Sequence, residues 1–177
     1  NSPNGYSLAP STINLAGVSV ELVNLEEREF KLAQALEPVQ ADFDYIIIDG
    51  PPSLGLLTIN SLVAATHLLI PVQAEYYALE GLKQLLDTIG LIQTHLKPNL
   101  GILGAVVTMY DQRNRLARAV LKEVGQFFPN RVFKTVIPRN VRLAEAPSYG
   151  QSIVDYDKHS SGSRAYESLA KEILALK

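Results

Sequence analysis

The chain has 177 residues, 47% hydrophobic and 19% charged, which suits one globular domain with a substantial core and excludes an intrinsically disordered chain. It contains no cysteine, which excludes disulfide frameworks, thiolate metal sites and cysteine nucleophiles, and its three histidines (His67, His95, His159) lie too far apart for a histidine metal centre. The net charge of −2 hides an asymmetry: residues 1–90 carry eleven acids against three bases, residues 91–177 seven acids against thirteen bases.

The segment from Asn1 to Gly5 is rich in turn residues and unlike a signal peptide; it leads into a short apolar stretch, Tyr6 to Ala9. From Ile13 to Glu37 the apolar spacing predicts two helices that meet near Val23 and Asn24, and Pro38 closes them. Tyr45-Ile46-Ile47-Ile48 predicts a strand buried on both faces, as in a parallel sheet, ended by Asp49 and the turn Gly50-Pro51-Pro52. His67 to Val72 predicts a second such strand, Ile102 to Met109 a third and Val132 to Ile137 a fourth. Between the second and third, Leu79, Leu82, Leu85, Leu86, Ile89 and Ile92 recur at helical spacing. Leu116 to Phe128 predicts another amphipathic helix, and Ser163 to Leu176 a last one with Leu169, Ile173 and Leu176 facing inward. No apolar run approaches the ~18 residues of a membrane span. Strands alternating with helices predict an α/β fold with a doubly wound, mainly parallel sheet built from right-handed crossovers. With no linker, repeat or low-complexity stretch, residues 1–177 are expected to form a single domain.

In such a sheet ligands bind beyond the carboxyl ends of the strands, so the residues that end the apolar runs carry the functional signal. They are Asp49; Gln73 and Glu75; Thr108 to Asp111; and Pro138, Arg139 and Asn140. A carboxylate directly after Ile46-Ile47-Ile48 sits at the edge of a dry core, where ionisation needs a partner. A magnesium ion or its bound water is one such partner, the Walker B placement of nucleotide hydrolases. A turn aspartate capping Gly50-Pro51-Pro52 is the other reading, and position alone does not separate them. Asp155 and Asp157, two apart in a predicted loop, read as solvated acids rather than a catalytic pair. From Arg113 to Arg142 the bases are Arg113, Arg115, Arg118, Lys122, Arg131, Lys134, Arg139 and Arg142 against the single acid Glu123. Such a block fits a polyanion surface, or merely a solvated helix face with its loops.

Longer strings favour nucleotide chemistry. Asp44-Tyr45-Ile46-Ile47-Ile48-Asp49-Gly50-Pro51-Pro52-Ser53-Leu54-Gly55, Glu75-Tyr76-Tyr77-Ala78-Leu79-Glu80-Gly81, Thr108-Met109-Tyr110-Asp111 and the run from Ile137 to Gly150 resemble, in order, the ParA/Soj family of chromosome- and plasmid-partitioning ATPases, deviant Walker-type proteins related to MinD. The resemblance implies a P-loop NTPase-like fold, ATP and Mg2+ as cofactors, an ATP-bound homodimer on non-specific DNA, and a ParB-type partner that stimulates hydrolysis and release. It implies a cytoplasmic, nucleoid-associated protein. By the same resemblance Asp49 orients the magnesium-bound water, and Gly50, Pro51 and Pro52 form a switch segment sensing the γ-phosphate. Met109, Pro138 and Asn140 then belong to the nucleotide site, with Pro138 packing on the adenine and Asn140 hydrogen-bonding it. Arg113 and Arg142 match the arginines that hold DNA, with Arg115 and Arg139 expected beside them.

Two departures accompany the resemblance. Gly50 stands where the family commonly has cysteine, a minor change. No G-x-x-x-x-G-K-[ST] string or two-lysine glycine loop occurs, and the first switch aspartate is absent as well. The expected reading is a domain incomplete at its N-terminus, lacking at least a strand–loop–helix unit of about 30 residues and leaving an apolar edge on the Asp49 strand. These 177 residues alone are then expected to be inactive on ATP. The alternatives are a non-catalytic binding or scaffold module of the same fold and a MinD-like membrane-associated ATPase. The second needs a basic amphipathic C-terminal tail, and Ser163 to Lys177 is nearly neutral, so no membrane partner is expected.

Overall fold

His67–Gln73 (β1) and Gly101–Thr108 (β2) form a parallel ladder that sets His67 opposite Gly101 and Gln73 opposite Thr108. The computed structural model describes residues 5–51, 53 and 55–176, apart from the side chains of Ala16 and Ser19. The predicted loop at Asn1 to Asn4, the turn residue Pro52 and Leu54 of the Asp49 string lie outside the described residues. The chain divides into two units, residues 1–66 with 91–100 and residues 67–90 with 101–177.

In the first unit the helical stretch between Ile13 and Glu37 breaks where its spacing predicts. Leu15–Glu21 (α1) tightens into a 3-10 turn at Leu22–Asn24, and Leu25 turns the backbone to the extended region. A second 3-10 turn, Arg28–Phe30, opens Lys31–Leu36 (α2). Leu56–Ala64 (α3) is an additional helix; two of its polar residues, Thr58 and Asn60, are buried with Leu62 and Val63, so it carries no amphipathic stripe to announce it. Buried Asn60 ties it to α2: its Oδ1 accepts from the Leu32 amide at 3.0 Å, and its Nδ2 donates to the Arg28 carbonyl at 2.8 Å. Lys97 Nζ donates to the Val63 carbonyl at 2.7 Å, satisfying one of the free carbonyls at the α3 C-terminus. The stretch from Tyr45 to Ile48 corrects one expectation. It forms no ladder among the described residues, and Ile47 is 92% exposed, because a strand buries its faces only when neighbouring backbone completes its hydrogen bonds.

The second unit carries the parallel sheet. Ala78–His95 (α4) enters it with Leu82 and Ile89 buried, and Arg115–Phe127 (α5) buries Ala117, Val120 and Val124. The register slips between Leu68 and Leu69, so β2 carries one extra residue at Leu103, and Gly104 follows it. The predicted fourth strand is also corrected. Among the described residues it forms no continuous ladder: Val132 bridges Ala105 of β2 in parallel, and Pro138, just past the predicted strand, bridges Tyr110 just past β2. The interruption has a cause in Ser161–Leu174 (α8): Glu172 accepts the Lys134 amide at 2.9 Å and the Thr135 amide at 2.8 Å, and so takes the Thr135 amide from the ladder with β2. The core of this unit gathers Val106, Phe133, Ile137 and Leu169, with Leu103, Leu143, Ala165 and Ile173 packed against them. Leu169 and Ile173 face inward as predicted, whereas Leu176, beyond the end of α8, is 57% exposed. Two short helices precede α8: Val141–Glu145 (α6), followed by a 3-10 turn at Ala146–Tyr149, and Ile153–Tyr156 (α7).

The Glu172 clamp makes stability depend on pH. Burial raises its carboxyl pKa, but the bonds from the Thr135 side chain and the Lys134 and Thr135 amides, with the Lys134 charge, outweigh it and hold the pKa below the ordinary carboxylate value. A carboxylate depressed on folding stabilises the protein above its unfolded pKa, and that contribution is lost as pH falls through the folded value. Glu172→Gln is expected to cost about 1 kcal/mol at pH 7. Its unfolding free energy should also fall less steeply than the wild type's as pH drops below about 5. Urea titrations of both proteins across that range measure the difference; parallel curves would remove the clamp as the cause.

Candidate functional site

Three parallel segments of the second unit end along one edge. The Ala74 amide donates to the Thr108 carbonyl at 2.9 Å, that of Tyr110 to Ile137 at 3.0 Å, and that of Arg139 to Tyr110 at 3.1 Å. These bonds draw Glu75, Met109, Pro138, Arg139 and Asn140 to the carboxyl ends of the strands, where a parallel sheet binds ligands. Met109 is exposed and sits at φ 51°, a left-handed backbone that costs a side-chain-bearing residue about 1–2 kcal/mol and recurs at binding sites. Pro138 is half-buried. Asn140 caps α6, its Oδ1 accepting the Arg142 amide at 2.8 Å while its Nδ2 donates to Ser161 Oγ at 2.7 Å. One N–H and one acceptor lone pair of that amide remain for a ligand.

The arginines fall into two groups. The Asp111 carboxylate accepts the Arg113 amide at 2.9 Å and shapes the turn into α5, which Asn114 caps by accepting the Leu116 amide at 2.9 Å. With Ala117, Val120 and Val124 on the buried face, Arg115 and Arg118 face solvent, and the guanidiniums of Arg113, Arg115 and Arg118 have no acid partner among the described residues. Arg139 and Arg142 differ. Arg139 Nη2 pairs with Glu75 Oε1 at 2.8 Å. Arg142 Nη1 pairs with Glu145 Oε2 at 2.9 Å and its Nε faces Asp157 Oδ2 at 3.6 Å. Hydrogen bonding and charge from Glu145 raise the Arg142 pKa above the ordinary guanidinium value. The Tyr156 hydroxyl donates to the same Glu145 oxygen at 3.1 Å, and its ring stacks on Tyr149 with centroids 5.2 Å apart. Burial first, then the bond to Glu145, raise the Tyr156 pKa.

Asp49, Gly50 and Pro51 belong to the first unit. Asp49 is exposed and makes no hydrogen bond or ion pair among the described residues. Just beyond it, buried Thr58 in the first turn of α3 donates its single hydroxyl hydrogen to the Ser53 carbonyl, with the Pro51 carbonyl 3.5 Å from the same oxygen. Among the described residues no group of three or more histidine, aspartate or glutamate side chains is placed to hold a metal ion. Also among them, no helix is long and apolar enough to cross a membrane.

The motif strings point to Asp49, Met109, Pro138, Asn140 and the arginines, but not to the pairing of Glu75 with Arg139 or of Glu145 and Asp157 with Arg142. The spacing of Arg142 and Glu145, three apart in α6, was the available signal for one of these pairs.

A family model described as an AAA domain matches residues 1–102. The chain is 56% identical over 166 residues to the sporulation initiation inhibitor protein Soj of Bacillus subtilis, covering 94% of this chain and 66% of that protein. It is 51% identical over 167 residues to the chromosome partitioning protein ParA of Myxococcus xanthus, covering 94% of this chain and 59% of that protein. The chain thus spans 59–66% of the length of these two relatives. Among solved structures, cobyrinic acid a,c-diamide synthase from Mycobacterium smegmatis, crystallised with an ATP analog and magnesium, superposes with a TM-score of 0.81 at 36% identity, covering 98% of this chain and 64% of that one. An α/β fold with a parallel sheet, the motif strings at its strand ends and identity over nearly its whole length together make this chain a member of the ParA/Soj family.

Proposed function

We propose that the chain carries the base-contacting and DNA-contacting residues of a partitioning ATPase, of chromosome or plasmid, that binds non-specific DNA as an ATP-bound homodimer and is released when a ParB-type partner stimulates hydrolysis. The observation that carries this reading is the strand-end edge. Residues suited to a purine base, Met109, Pro138 and Asn140, lie where Arg113, Arg115 and Arg118 emerge without acid partners.

The residues present fit both cofactors in part. The free N–H and lone pair of Asn140 match the donor and acceptor edge of adenine, and half-buried Pro138 offers a flat apolar surface. Asp49, solitary and exposed, fits a carboxylate that accepts a hydrogen bond from metal-bound water. When bound, Mg2+–ATP supplies the phosphoanhydride whose hydrolysis resets the cycle. Asp49 would then orient the magnesium-bound water, while Gly50 and Pro51, braced by Thr58, relay the state of the nucleotide to α3.

Clustered guanidiniums contact phosphates, which carry no base information, so binding is sequence-independent. Arg113→Ala and Arg142→Ala in the full-length protein are expected to weaken DNA binding about equally on unrelated sequences. Each reduces the salt slope by about 1 and leaves ATP binding intact. Isotherms at several salt concentrations with ATP present test this. Unchanged affinity and slope in both variants would leave the arginines as a solvated face.

A further inference from the structure

We infer that Lys158 is a further phosphate contact of the DNA surface, set beside Arg142 as a cation that no carboxylate offsets. The inference deepens the DNA-binding reading above and rests on it. Residues Asp157 to Ser160 form a turn. The Ser160 amide donates to the Asp157 carbonyl at 3.1 Å, the Ser160 hydroxyl donates to the same carbonyl at 2.8 Å, and Asp157 Oδ1 accepts the His159 amide at 3.1 Å. An aspartate that opens a turn and accepts the amide two residues on does so because its side chain is short. Lys158 thereby takes the first of the two central positions. It is exposed there and has no acid within ion-pair distance among the described residues.

Two contacts fix this turn against α6. Asp157 Oδ2 faces Arg142 Nε at 3.6 Å, and Asn140, the N-cap of α6, donates to Ser161 Oγ at 2.7 Å directly after the turn. Lys158 therefore adjoins the residue that faces Arg142. Arg142 is 54% exposed and has five N–H donors, so it can hold a phosphate oxygen while it is paired. Its partners Glu145 and Asp157 nevertheless set two carboxylates against one guanidinium. Lys158 restores the balance, and its flexible four-carbon stem lets the ammonium follow a phosphate backbone. It lies outside the basic run from Arg113 to Arg142, and only the fold brings it to this corner.

The experiment uses full-length protein with ATP and non-specific duplexes of unrelated sequence at several salt concentrations. Lys158→Ala is expected to weaken binding roughly four- to eightfold between about 0.1 and 0.2 M salt, alike on every duplex, and to reduce the salt slope by about 1. Lys158→Arg keeps the charge and is expected to bind as the wild type does. Lys171→Ala removes an equal charge near the other end of α8, about 15 Å along the helix from Ser161, and should change neither quantity. Three results overturn the inference: unchanged binding in Lys158→Ala, a loss shared equally by Lys171→Ala, which would reflect net charge alone, or a fall in ATP affinity, which would assign Lys158 to the nucleotide. Arg113→Ala and Arg142→Ala separate the two levels of the argument. If they weaken binding while Lys158→Ala does not, this contact fails and the DNA surface stands; if all three leave binding unchanged, the DNA reading itself fails.

Discussion

Asp49→Ala in the full-length protein is expected to lower ATP hydrolysis at least a hundredfold while leaving the melting temperature within a degree or two of wild type. The stability half follows from the structure. Asp49 is exposed and has no hydrogen bond or ion pair among the described residues, so its removal strands no buried partner. Nor does it tie down the turn that follows, because Thr58 of α3 does so from the other side, through the Ser53 carbonyl. The activity half follows from the proposed role: without its orienting carboxylate the metal-bound water loses its place, and losing such a positioned group costs roughly 10²–10⁴-fold. Phosphate release and thermal melts on the same preparations decide between the readings left open by position alone. A fully active variant removes the catalytic role; a variant that melts several degrees lower and retains activity makes Asp49 a turn residue.

Gly104→Ala should cost about 3 kcal/mol. A Cβ at that position would stand 2.6 Å from the Arg131 carbonyl oxygen and 2.9 Å from the Phe133 ring. Neither neighbour has room to retreat. The Arg131 carbonyl accepts the Ala105 amide at 2.8 Å in the junction between β2 and the following parallel segment, and Phe133 is buried in the core with Val106 and Leu169. The backbone at φ 158° adds strain for any side chain. Gly162→Ala is the informative comparison: its Cβ would meet the Leu143 side chain at 2.6 Å, and a leucine can rotate. Urea unfolding of both variants should rank Gly104 well above Gly162. A Gly104→Ala protein within 0.5 kcal/mol of wild type would show that the segment at Arg131 moves freely.

Which features could be read in advance depends on how far apart their causes lie along the chain. β1, β2, α4 and α5 follow from apolar spacing within a dozen residues, and each appears within a few residues of its predicted bounds. The break at Glu172 does not, because residue 172 interrupts a ladder at residue 135 and no local pattern encodes that encounter. The strand expected at Tyr45 to Ile48 fails for a related reason: aromatic and β-branched residues state a preference for a sheet, while the ladder itself depends on backbone supplied elsewhere. α3 escapes because it buries polar residues along with apolar ones, and α6 and α7 because they are too short to show a stripe. At the candidate site, residue identities were legible from motif strings, but the partners of Arg139 and Arg142 were not, since Glu75 and Asp157 lie 64 and 15 positions away.

The left-handed turn at Met109 has a mechanical consequence. Behind it, Ala105, Val106 and Val107 are almost wholly inaccessible to water and hydrogen-bonded toward both sides. One residue beyond the end of β2, the same chain carries an exposed thioether on a left-handed backbone. The next residue, Tyr110, is pinned on both sides, its amide donating to Ile137 and its carbonyl accepting from Arg139, so the strained residue is held between two fixed neighbours. A ligand that meets Met109 at that mouth finds its backbone already ordered, so recognition there pays little further loss of chain freedom.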